Sequence, residues 1–164
     1  MTPIRISSLL ATLALLAGCG TAAHQNRGMQ QGMQGPHGLV AVKSPHSQAD
    51  TVSRLEAQVR QRNLTIAARI DHAAAAQRIG QTLRPSEVMI FGNPQAGTPL
   101  MQCALSVGID LPMKALVWTD AAGQVWLGYN DPAWLVHRHG VPDCPAAENV
   151  RKALAGIAEA TVAR

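Results

Sequence analysis

The chain has 164 residues and a formal net charge of +4, from 14 basic and 10 acidic residues, with 47% hydrophobic and 15% charged residues. That balance suits one folded domain of ordinary size and excludes a disordered chain. Aromatics make up only 3%, and only Arg54, Arg60 and Arg62 stand close together among the basic residues. Neither base stacking nor a dense basic face is therefore available, and nucleic acid is set aside as a partner.

Residues 1–8 carry Arg5 and no acid, and residues 9–17 are apolar apart from Thr12. The run is too short for a spanning helix and has the layout of a secretory signal peptide. It ends Leu16-Ala17-Gly18-Cys19, which resembles the lipobox of bacterial lipoproteins. That resemblance implies cleavage after residue 18 and a diacylated Cys19. The plainer alternative is an ordinary secretory peptide in which Cys19 is incidental. With more than one acyl chain, each contributing ~0.8 kcal/mol per buried methylene, the anchor is stable. The expectation is a signal peptide over 1–18 and a domain tethered to a bacterial membrane, facing the periplasm.

Residues 20–36, GTAAHQNRGMQQGMQGP, have no apolar period and are rich in Gly and Gln. With Cys19 and His37 they read as a lipidated cysteine followed by a flexible linker. His24, Met29, Met33 and His37 are soft ligands of the kind that hold copper, but their irregular spacing reads better as a spacer.

Regular patterning begins at Gly38. Residues 39–42 form a strand closed by Lys43-Ser44-Pro45. Ser47 then N-caps an amphipathic helix over 48–62, carried by Val52, Leu55 and Val59, and Asn63 closes it in a left-handed conformation. Residues 64–70 alternate as a second strand. Asp71 caps an alanine-rich helical segment over 72–79, ended by Gly80. Residues 88–91 form a third strand and 99–107 a helix stopped by Gly108. Residues 115–119 and 124–129 pair as a hairpin around Asp120-Ala121-Ala122-Gly123. Asp131-Pro132 opens a short helix to His139, and a last amphipathic helix covers about 146–162. The final two strands must be antiparallel, which predicts a single small α+β domain. Its sheet is mainly antiparallel, of four to five strands with helices packed on it.

Residues 88–102, VMIFGNPQAGTPLMQ, mimic the phosphate-binding spacing G-x-x-x-x-G-K-[ST]. The lysine that would bind phosphate is missing, and Pro94 removes a backbone donor from the cradle. Thr98 as N-cap with Pro99 in the first turn explains the run as a strand-to-helix turn. Such a helix start can still hold a small anion or carboxylate.

The runs Ala68-Arg69-Ile70-Asp71-His72-Ala73-Ala74-Ala75, Phe91-Gly92-Asn93-Pro94, Gly97-Thr98-Pro99-Leu100-Met101, Gly108-Ile109-Asp110-Leu111-Pro112 and Tyr129-Asn130-Asp131-Pro132 resemble, in that order, the bacterial "domain of unknown function 302" family. The resemblance covers about residues 38–141. It implies a small α+β domain that associates as a homodimer, and it brings no established reaction and no catalytic residue. Cys103 stands where the family's helix commonly has alanine. The leader, and a C-terminal helical extension over 142–164, fall outside the resemblance.

Three functional readings follow. The first is a non-catalytic, lipid-anchored envelope homodimer that binds a small ligand or partner through loops around Asn93, Thr98 and Asp131, with His72 as a further candidate. The second is an enzyme cleft centred on His72 and Asp71, joined by Asn93 and Asp131; against it, Asp71 already serves as a cap. The third is redox or metal handling by Cys103 and Cys144, which stand 41 positions apart and form a possible disulfide in an oxidising compartment. His137 and His139, two residues apart on a short helix, point to different faces and make a poor metal pair. Trp118, Trp126 and Trp134 suit the core or a dimer interface. There is no G-x-S-x-G elbow, no H-E-x-x-H and no C-x-x-C, and no cofactor is called for.

Overall fold

A computed structural model describes residues 33–34 and 37–164. The signal peptide, Cys19 and most of the linker lie outside the described residues. The elements are β1 (Met33–Gln34), β2 (Leu39–Ser44), α1 (Gln48–Gln61), β3 (Thr65–Asp71), α2 (His72–Arg78), β4 (Ser86–Gly92), α3 (Pro94–Cys103), a 3-10 helix (Leu105–Asp110), β5 (Met113–Thr119), β6 (Val125–Asn130), α4 (Pro132–Arg138) and α5 (Ala146–Val162). They build one sheet in the order β1-β2-β6-β5-β4-β3, with every pair antiparallel. The expected α+β domain is therefore present. Its five long strands carry a two-residue edge strand, β1, inside the stretch read as linker.

Local chemistry accounts for the elements. The Ser47 hydroxyl accepts from the Asp50 N–H at 3.1 Å to open α1, and Asn63, at φ 55°, closes it. Val52, Leu55 and Val59 then lie in one buried stripe. Buried between α1 and β2, the Thr51 and Ser44 hydroxyls bond each other at 2.7 Å, so neither is left unsatisfied. Glu56 on α1, Arg69 on β3 and Glu87 on β4 form a salt-bridged row. The Arg60 hydrogen bond, with Arg69 adding to it, holds the Glu56 carboxyl below the usual glutamate range.

The strand alternation sends Met89, Phe91, Ala115, Val117, Leu127 and Tyr129 to one face, where α1 and α5 cover them. Val88, Ile90, Leu116, Trp118 and Trp126 occupy the opposite face and stay half-buried. Trp118 and Trp126 stack there, ring centroids 6.2 Å apart. Gly128 is required beside them: a β-carbon at that position would stand 2.9 Å from the Trp118 ring and 3.1 Å from the Val40 carbonyl oxygen.

Two expectations need correction. The C-terminal helix is no extension outside the domain. Val150, Leu154, Ile157 and Ala158 of α5 belong to the same buried cluster as the sheet residues, because their stripe has to be removed from water and the sheet face supplies the partner. The helix after β4 also starts a turn early. Asn93 is its N-cap, accepting from the Ala96 N–H at 2.8 Å, with Pro94 in the first turn and Pro99 inside the helix. Asn93-Pro94 is as good a start signal as Thr98-Pro99, and the chain takes the first one it reaches.

Candidate ligand-binding cleft

The junction of β4 and α3 creates a hollow beside the sheet. β4 ends at Gly92, Asn93 turns the chain, and α3 runs back with Gly97 and Met101 facing inward. Between this helix, the start of β3 at Thr65 and the 3-10 helix at Gly108 lies a cavity of about 500 Å³. Gly97 and Leu111 both line it, and a β-carbon at 97 would make ordinary contact with Leu111 Cδ1 at 3.5 Å, so a longer side chain there would take up space at this wall. A second hollow of about 340 Å³ shares Asn93, Ala96, Met113 and Val150 with the first, and extends along α5 to Leu154 and Ile157. Both volumes fall in the range that holds small organic molecules.

The walls are apolar and neither hollow is lined by a charged residue. The polar groups present are the hydroxyls of Thr65 and Thr98 and the amides of Asn93, Gln95 and Asn149. Asn93 commits its Oδ1 to the α3 cap, which leaves its NH₂ to donate to a ligand oxygen. The cleft can therefore desolvate and orient a neutral, mostly apolar molecule. It carries no acid or base to react with one. Among the described residues, no three His, Cys, Asp or Glu side chains converge as a metal site requires.

The structure divides the residues singled out from the sequence. Asn93 and Thr98 both line the first cavity, although Thr98 is an exposed helix-interior residue and not the cap. Asp131 stands near the same end of the sheet but lines neither hollow; its carboxylate accepts from the Ala133 N–H at 2.9 Å and caps α4. Asp71 caps α2 through the Ala74 N–H at 2.9 Å, and His72 is exposed beside it. In the β3–β4 register Thr65 faces Gly92 while Asp71 faces Glu87. His72 thus lies at the far end of that hairpin, about 20 Å from Asn93 at ~3.3 Å per residue. No single cleft unites His72 and Asp71 with Asn93 and Asp131. Cys103 and Cys144 are joined as a disulfide with Cα atoms 5.9 Å apart, linking the end of α3 to the loop before α5.

Sequence reasoning missed Thr65, Met101, Gly108 and Met113 as walls of the cavity. Only Gly97 within α3 and Gly108 within the 3-10 helix, two positions without side chains, hinted that space is kept there.

Among the described residues no helix is long and apolar enough to cross a membrane. The "Fluoride-specific ion channel FluC 1" of Brucella suis biovar 1 (strain 1330) is 49% identical over 104 residues, which are 63% of this chain and 41% of that protein. The protein of the same name from Brucella abortus biovar 1 (strain 9-941) is also 49% identical over 104 residues, 38% of its length. The chain thus spans about two-fifths of the length of these curated relatives. The crystal structure of an uncharacterised conserved protein DUF302 from Bacillus stearothermophilus superposes with a TM-score of 0.70 at 23% identity, covering 76% of this chain and 98% of that one, a likeness of fold. The family described as "Domain of unknown function DUF302" matches residues 40–161, a span that takes in α5. The chain belongs to the DUF302 family.

Proposed function

We propose that the domain binds a small, neutral, predominantly apolar molecule in the cleft beside α3, as a lipid-anchored homodimer in the bacterial envelope. The observation that carries the ligand reading is the cavity of about 500 Å³ with apolar walls and the free Asn93 amide at its mouth. The Cys103–Cys144 bond supports an oxidising compartment, and the Leu16-Ala17-Gly18-Cys19 run supports a lipid anchor there. The sheet face opposite α1 and α5, with Ile90, Leu116, Trp118 and Trp126 flanked by Lys43 and Lys114, is a largely apolar, aromatic patch that suits a second copy.

Mass spectrometry of small molecules that copurify with the full chain tests the ligand. One apolar compound at near-stoichiometric amount supports it; a chain that binds no apolar compound refutes it. Labelling with a palmitate analogue, lost in Cys19→Ser, tests the anchor. A second reading rests on the Brucella relatives named as fluoride-specific ion channels: the domain serves an ion-transport protein at the membrane. Removal of the chain from its host then alters fluoride tolerance, and unchanged tolerance rejects this second reading.

A further inference from the structure

The 3-10 helix and the end of α4 meet across a polar cluster that the cleft does not use. His139 Nδ1 lies 3.0 Å from Ser106 Oγ, and His139 Nε2 lies 2.8 Å from Asp110 Oδ2. Arg138 Nη1 donates to both oxygens of Asp110, at 3.0 and 3.2 Å. The imidazole is 9% exposed and the Asp110 side chain 14%, whereas Ser106 is open to solvent.

The chemistry of this order is specific. A carboxylate accepting from Nε2–H fixes the tautomer, so that the lone pair of Nδ1 faces the serine hydroxyl. Arg138, donating to both carboxylate oxygens, holds the carboxylate in place. A nucleophile bonded to a base, with the base oriented by a third group, is the arrangement of covalent acyl transfer. A purely structural clasp between the two segments needs the His139–Asp110 and Arg138–Asp110 contacts. A hydrogen bond to a solvent-exposed serine adds little to stability, because water competes for it.

We propose that Ser106, His139 and Asp110 form a nucleophilic triad that hydrolyses carboxylic esters with an apolar acyl group. The acyl preference comes from Leu105 and Ile109, on the same 3-10 helix, which are 85% and 76% exposed and flank the serine. Ser106 Oγ attacks the ester carbonyl carbon as its proton passes to His139 Nδ1. The carbon–oxygen bond to the alcohol breaks, and the alcohol leaves with that proton. Water then attacks the acyl-serine, giving one proton back to Ser106 Oγ through His139 and releasing the carboxylic acid. Ester and water become acid and alcohol, with no oxidant or reductant. None of the three residues lines either hollow beside α3, so this activity and ligand binding in the cleft stand or fall separately.

The test uses the full chain and a long-chain alkyl fluorophosphonate, which bonds phosphorus to an activated serine with loss of fluoride. The expected result is one adduct per chain, mapped to Ser106 and absent in Ser106→Ala, a change at an exposed position that leaves the melting temperature in place. His139→Gln slows labelling at least about 100-fold, the range expected for loss of a general base. Asp110→Asn lowers the maximal labelling rate without changing the probe concentration for half-maximal rate, as a positioning residue does. Hydrolysis of a p-nitrophenyl ester of octanoic acid follows the same order across the variants. No adduct at saturating probe, an adduct that survives Ser106→Ala, or a labelling rate indifferent to His139→Gln overturns the proposal. Should His139→Gln fail to fold, the wild type and Ser106→Ala still decide it.

Discussion

Replacing both Cys103 and Cys144 by alanine removes the bond that ties the end of α3 to the approach of α5. The two cysteines are 41 positions apart, and the segment between them contains the 3-10 helix, β5, β6 and α4. Cross-linking a loop of this length lowers the entropy of the denatured chain by about 13 cal/mol/K, which is about 4 kcal/mol at 25 °C. Cys144 is buried and Cys103 partly so, so losing the sulfur atoms adds a small cavity cost in the same direction. Urea unfolding followed by circular dichroism measures the total. With a denaturant slope of ~2 kcal/mol per molar, the midpoint falls by about 2 M. Reductant applied to the wild-type chain gives a drop of similar size and leaves the double variant unchanged. A loss below about 1 kcal/mol would refute the reasoning, because it would mean that the bond barely constrains the unfolded chain.

Four further outcomes are expected. Asp120 accepts from Trp126 Nε1–H at 2.8 Å, and this bond above all holds its carboxyl below the usual aspartate value. Its stabilising effect is then complete above the ordinary value of ~3.9 and fades as the pH falls through the lowered one. Tryptophan emission should shift in that acid window and lose the shift in Asp120→Asn; an identical titration in the two proteins rules the link out. Leu116→Glu places a carboxylate among the apolar side chains of the sheet face opposite α1 and α5, and should weaken self-association at least ~10-fold in sedimentation, even with Lys114 nearby on the same face. A wild-type chain that is monomeric at high concentration ends the dimer reading altogether. Gly128→Val drives a β-carbon into the Trp118 ring and the Val40 carbonyl and should cost about 1–3 kcal/mol in thermal or urea unfolding; a neutral effect contradicts the packing described. Asn93→Ala removes the α3 cap and should cost about 0.5–2 kcal/mol by the same measurement; a change within error shows that the cap contributes nothing.

Most of the fold can be read from the sequence because the patterns are local. Val52, Leu55 and Val59 face one way on α1 whatever surrounds them, and the turn at Gly123 admits one pairing of β5 with β6. The start of α3 was less legible, since residues 88–102 offer two cap-plus-proline signals one turn apart, and the sequence does not rank them. The helix over 146–162 was legible as an element but not as part of the domain, because its partner is a sheet face assembled from distant strands. The site was legible only in part, for the same reason. Asn93 and Thr98 belong to the cavity, but its other walls come from Thr65, Gly108, Met113 and Val150, far apart along the chain. Asp71-His72 looked reactive as neighbours, yet the direction of β3 carries them to the opposite end of the hairpin. Ser106, Asp110 and His139 converge through tertiary packing, without any elbow motif to announce them.

The cleft reading is tested most directly by titrating the full chain with an apolar fluorescent probe and comparing it with Gly97→Leu. Leucine at position 97 takes up space at the Leu111 wall of the cavity and is a better helix former than glycine, so the fold should hold or gain stability. The account predicts saturable, one-to-one binding to the wild type and a loss of at least about tenfold in affinity in the variant. Equal binding by both proteins, or none by the wild type, would contradict it.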